Sequence, residues 1–163
     1  MNDSDKQKVG NAILVVMNIE GHLENLKKRG PAAVKTWIRD ANNTSDAALR
    51  QTLKSVIVPG LIKLLKDASS VRKDVGSLFK EGSDAGKLAK YATGKAFREK
   101  ATRLLATAKA FEEKATSFHL ALTSVLGGGM YPGMGDVAVK ATVVALKSYS
   151  TYYNAIRIEL GKL

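Results

Sequence analysis

The side chains able to do chemistry in this chain are few, and their spacing limits what they can do. His22 and His119 are the two histidines, and neither has a second histidine or a carboxylate three or four residues away, the step that places two ligands on one helix face. Both read as packed or edge histidines. Glu112 and Glu113 are neighbours in the chain, so on a helix they point to different sides and cannot work as an acid/base pair by themselves. Cysteine is absent, which excludes disulfides, thiolate metal sites and cysteine nucleophiles. No phosphate-binding Walker loop, zinc-protease helix or nucleophile elbow occurs. Gly133, Gly135 and Ala138 match the spacing of a dinucleotide fingerprint, but that loop needs a strand before it and this one follows a helix and Tyr131-Pro132. The expectation is a chain with no catalytic residue, metal or cofactor.

What remains is charge. Lysine and arginine number 26 against 15 acidic residues, a formal charge of +11, and such a surface attracts acidic protein, anionic lipid or nucleic acid. Lys95, Arg98, Arg103, Lys109 and Lys114 lie broadly opposite the apolar seam of one long helix, with Glu99 among them. They read first as a solvated outer face and second as a docking face. Nucleic-acid binding ranks lower, because no aromatic residues alternate with the cations and no known module is present.

A second feature is a run of 21 residues, Ala115 to Gly135, that carries no charged side chain other than His119. One reading makes it a membrane-inserting hairpin tip with Met130, Tyr131 and Met134 at the bilayer interface. The other makes it a buried helix end followed by a loop against the body or a partner. Glycine, serine and threonine dilute the run below the roughly 20 apolar residues that span a bilayer, which favours the second. The candidate partner contacts are therefore Arg98, Arg103, Lys109, Lys114, Met130, Tyr131 and Met134.

The elements that must position these residues are helices. AFREKAT at Ala96 to Thr102 recurs as AFEEKAT at Ala110 to Thr116, a shift of two heptads. Around it Phe97, Ala101, Leu104, Ala108, Phe111, Ala115, Phe118, Leu122 and Val125 step by four and three, so Lys95 to Leu126 is a helix with one apolar seam. Its length of about 48 Å can be covered only by other long helices alongside.

The first helix carries Val9, Ile13, Val16, Ile19, Leu23 and Leu26 and is expected to end at Lys27-Lys28-Arg29-Gly30, cations and then glycine. Pro31 then opens a short extra helix, Ala32 to Ala41, with Val34, Trp37 and Ile38 inward and Trp37 plugging one end. Asp46 caps a helix whose seam runs from Leu49 through Leu53, Val56, Ile57, Leu61 and Leu64 to Leu78 and Phe79. Pro59 either kinks it or divides it into two helices meeting at an angle. Lys80 to Gly86 reads as a turn, Gly94 as a break, and Gly127 to Gly135 (GGGMYPGMG) as a loop. Asp136 caps the last helix, with Val139, Val143, Leu146, Tyr153, Ile156 and Leu160 on its main face and Tyr149 and Tyr152 to the side.

The fold expected is all-α: one domain over residues 1–163, an up-down-up-down four-helix bundle with a short extra helix after the first and a glycine-rich loop before the last. A basic, cysteine-free four-helix chain of this size resembles, in architecture, the extrinsic helical-bundle subunits that cap photosystem II on its lumenal side. That resemblance implies an accessory subunit docked on the acidic surface of a larger complex. The alternative is a membrane-active or lipid-binding bundle of the small cationic pore-forming type. The polar, mixed-charge opening MNDSDKQK does not read as a secretory signal, and a soluble or peripheral protein is expected.

Overall fold

The computed structural model describes the backbone of residues 3–88, 95–125 and 131–162 and, within these, the side chains of residues 7–8, 10–81, 97–123 and 131–162. It is all-helical, with no strand among the described residues. Helix α1 spans Asp3–Asn43. A short helix α2, Ala47–Thr52, runs through a π-helical segment, Leu53–Ile57, into α3, Val58–Leu88. Helices α4, Lys95–Val125, and α5, Val137–Gly161, complete the chain.

Interhelical contacts fix the directions. Arg72 on α3 meets Glu20 on α1 while Leu65 meets Gly30, so residue numbers rise on one helix as they fall on the other. The same reversal joins α3 to α4, through Asp67 with Lys114 and Glu81 with Lys100, and α1 to α5, through Thr36 with Asp136 and His22 with Tyr152. Helix α4 also packs along α5, so the four long helices form a square in which all neighbours are antiparallel.

The core forms because each helix carries one apolar stripe. On α4 Phe97, Ala101, Leu104, Ala108, Phe111, Ala115, Phe118 and Leu122 are all buried, as their four-and-three spacing predicts. The same rhythm on α5 takes in Tyr149, which is a correction: it lies on the seam rather than to its side. Tyr149 is fully buried, packs edge-to-face with Phe111 with ring centroids 4.6 Å apart, and donates its hydroxyl to the Ala108 carbonyl at 3.4 Å. Burial pushes that hydroxyl's pKa well above its ordinary value.

The expected helix end at Gly30 does not occur. Helix α1 continues through Pro31, and the stretch expected as a separate helix, Ala32 to Ala41, is its last three turns. Proline inside a helix costs about 3 kcal/mol. The continuation keeps Ala33, Trp37 and Ala41 in phase with Leu23 and Leu26, and all five are buried. Burying a tryptophan alone is worth about 4–6 kcal/mol at about 25 cal/mol per Å2, so packing outweighs the lost hydrogen bond. Ile38 falls outside this stripe and is 43% exposed, contrary to its expected inward position.

Pro59 does not divide its helix. The chain passes through it as continuous helical structure, and the irregularity lies one turn earlier, where the Val58 N–H reaches back five residues to the Leu53 carbonyl. The wider turn absorbs the proline's missing donor and ring. It also advances the phase, so Leu53 and Ile57 are buried while Val56, expected in the seam, is 46% exposed. Lys80 to Gly86, expected as a turn, continues α3. Each interior glycine costs a helix about 1 kcal/mol relative to alanine, too little to end one that its neighbours hold by packing. The break expected at Gly94 lies outside the described residues.

Trp37 does plug one end of the bundle. Its ring centroid lies 6.2 Å from that of Phe118, and its Nε1–H donates to the Pro132 carbonyl at 2.7 Å. Tyr131 to Met134 forms a turn, closed by the Met134 N–H on the Tyr131 carbonyl at 3.2 Å. Proline second and Gly133 third at φ 77° is the type II pattern. Asp136 caps α5 as expected, accepting the Val139 N–H at 3.0 Å and the Thr36 hydroxyl at 3.1 Å.

Candidate docking surface

The α4 cations do not form one face. At about 100° per residue, Arg98 and Lys109 fall on one side of the helix and Arg103 and Lys114 on another, about 140° away. Between them the outward surface carries Glu99, Ala106, Ala110 and Glu113. Lys114 is turned towards α3, where its Nζ lies 2.9 Å from Asp67 Oδ2, and Lys100 similarly reaches Glu81 at 2.8 Å. Arg98, Arg103 and Lys109 are exposed. Part of the positive charge therefore holds α4 to α3.

The loop residues also part company. Tyr131 is half-buried against the core, and Met134 is 39% exposed beyond the turn. Met130 lies outside the described residues. Ala115, Phe118 and Leu122 from the uncharged run are buried, and no described helix is long and apolar enough to cross a membrane.

A second cationic region brings Lys27, from a basic run that also reads as a docking patch in the sequence, beside residues of α3. A cleft runs between α1 and α3, lined by Glu20, Lys27, Ser69, Arg72, Lys73, Gly76 and Phe79, with a volume of about 450 Å3. A smaller hollow of about 160 Å3 continues it over Leu23, Pro31, Leu65 and Ala68, sharing Lys27, Ser69 and Arg72. Small residues make the room: serine and glycine on α3, and Pro31 beside Gly30 on α1, where an added Cβ would run into Leu65 Cδ2.

Arg72 is fixed in this cleft. Its Nη2 lies 2.6 Å from Glu24 Oε2 and 3.1 Å from Glu20 Oε1, and its Nε donates to Glu20 Oε1 at 3.2 Å. Lys27 and Lys73 flank it and make no ion pair with any described residue. The spacing of Lys27, Arg72 and Lys73 carries no signal by itself, because they meet only when two antiparallel helices align.

Other candidate chemistry is accounted for by packing. His22 stacks on Tyr152 with ring centroids 4.3 Å apart, its Nδ1 is buried without a hydrogen-bond partner, and burial lowers its pKa. Glu112 accepts the Thr116 hydroxyl at 3.1 Å. The α5 N-terminus beside Gly133 and Gly135, where a phosphate would sit in a dinucleotide site, already holds the Asp136 carboxylate. That carboxyl is held below the usual carboxylate range by the Val139 N–H, with the Thr36 hydroxyl assisting. No cluster of three or more metal-ligating side chains occurs among the described residues.

Fold and surface together define a basic, antiparallel four-helix bundle. No protein-family model matches the chain, and no curated protein matches it in sequence.

Proposed function

We propose that this protein is a non-catalytic accessory bundle that docks, through its cationic exterior, on an acidic surface of a larger protein assembly. The supporting observation is that seven of its 15 acidic residues are engaged within the scaffold. Glu20 and Glu24 hold Arg72, Asp67 holds Lys114, Glu81 holds Lys100, and Asp74 accepts the Thr107 hydroxyl, all between helices. Asp46 and Asp136 cap helices. Carboxylates engaged in the scaffold do not neutralise the outward lysines, and a surface excess of that sign speeds and selects encounters with an acidic partner.

The test is isolation of the protein from its source at low ionic strength, identification of what comes with it, and reconstitution from purified components. The expected result is an assembly that rebinds the pure protein and releases it as salt shortens the Debye length from about 10 Å at 0.1 M towards 3 Å at 1 M. Leakage of anionic liposomes that disappears when Met130, Tyr131 and Met134 become serine would overturn this in favour of a membrane-active bundle. Affinity for arbitrary duplex DNA that falls steeply with salt would overturn it in favour of nucleic-acid binding.

A further inference from the structure

Resting on the docking reading, we infer that the α1/α3 cleft is the contact point and that it takes an extended acidic segment of the partner, anchored by one apolar side chain. From Leu65 to Phe79 the cleft follows α3 for fourteen residues, about 21 Å at 1.5 Å per residue. An extended chain of about six residues covers that distance at about 3.3 Å each.

The lining changes character along this length. At one end Leu23, Pro31, Leu65 and Ala68 enclose the 160 Å3 hollow, an apolar seat for a side chain. Where the hollow opens into the larger cleft, Lys27 on α1 and Arg72 on α3 line both, and Lys73 stands beyond them. Glu20 and Glu24 already occupy the guanidinium, so an arriving carboxylate is met by the ammonium groups of Lys27 and Lys73, which pair with no described residue.

The same lining selects a peptide over nucleic acid. Phe79 is the one aromatic residue in the lining, which offers no row of stacking surfaces for bases.

The test uses the intact protein and two acetylated, amidated hexapeptides as probes, one leucine followed by five glutamates and the reverse order, followed by amide shifts in 15N spectra. The expected result is saturable shifts at Lys27, Ser69, Arg72 and Gly76 with at least one order, and no binding when glutamine replaces glutamate. An added Cβ at Gly76 meets nothing within 4 Å, so Gly76→Leu fills the cleft without altering charge or helix and should abolish the shifts. The double substitution Lys27→Glu, Lys73→Glu should weaken binding at least tenfold. Shifts centred on Arg103 and Lys109, or unchanged affinity in Gly76→Leu, would overturn the cleft assignment and leave the docking reading standing. Failure of both peptides to bind would do the same if the purified assembly still captures the protein, and would overturn both readings if it does not. Preferential displacement of either peptide by a 12-base-pair duplex would overturn the choice of a peptide.

Discussion

Trp37 and Pro132 are 95 residues apart in the chain, and the indole N–H of the first lies 2.7 Å from the carbonyl oxygen of the second. This bond ties the last turns of α1 to the turn that launches α5, and Thr36 beside it holds the Asp136 cap. One end of the bundle is thereby closed by a polar latch laid over an aromatic pair. Trp37→Phe keeps most of the packing but leaves the Pro132 carbonyl without its donor, at an expected cost of about 1–3 kcal/mol. Trp37→Ala also opens a cavity and should cost about 3–5 kcal/mol. Urea denaturation followed by far-UV circular dichroism measures both.

Pro31 offers the opposite test. Since α1 is already continuous through this position, Pro31→Ala restores a donor to the Lys27 carbonyl and removes a ring from a helix interior. A gain of up to about 3 kcal/mol is offset by about 1 kcal/mol of added unfolded-chain entropy, leaving stabilisation of about 2 kcal/mol. Urea unfolding midpoints of the variant and the parent measure the difference.

Two glycines separate helix propensity from close approach. Gly76→Ala adds a Cβ in open space and should stabilise by about 0.5–1 kcal/mol. Gly30→Ala has the same propensity gain, but its Cβ meets Leu65 and forces that side chain to move. It should be the less stable of the two by about 1–3 kcal/mol, measured as the difference between their urea midpoints at constant m.

Thr142 is fully buried and its hydroxyl has no hydrogen-bond partner. Thr142→Val has nearly the same shape and removes an uncompensated polar group, so stabilisation by about 1 kcal/mol is expected. Unfolding midpoints of the two proteins decide it.

His22 makes stability depend on pH. Burial lowers its pKa in the folded protein, so the unfolded chain protonates first as pH falls. Above the unfolded value of about 6.5 the histidine has no effect; below it stability is lost until the pH passes the lower folded pKa. His22→Phe keeps an aromatic ring against Tyr152 and should flatten the profile as pH falls below about 6.5, as read from thermal melts at a series of pH values.

Much of this architecture can be read without coordinates. The seam of α4, the caps Asp46 and Asp136, the helical class and the position of Trp37 all follow from local spacing and composition. Where the reading failed, a local signal met a non-local one: Gly30-Pro31 is a stop signal until the burial of Ala33 and Trp37 is weighed against it, and Lys80 to Gly86 is a turn until packing extends the helix. Val56 falls outside the seam because a π turn shifts the helix phase there, and Ile38 because α1 runs on through Pro31 in the phase of Leu23 and Leu26, which leaves it beside the stripe.

The amino-acid order by itself determined that the chain is helical, cysteine-free, basic and seamed for bundling, because these depend on residue type and on steps of three and four. Which cations remain outward was decided only by the tertiary structure. Asp67 selects Lys114 and Glu20 and Glu24 select Arg72 across helices that meet through long-range packing, leaving Lys27 and Lys73 on the walls of the α1/α3 cleft. Charge pairing falls off within a few ångströms, so it is set by the register of neighbouring helices, which no local window of sequence contains.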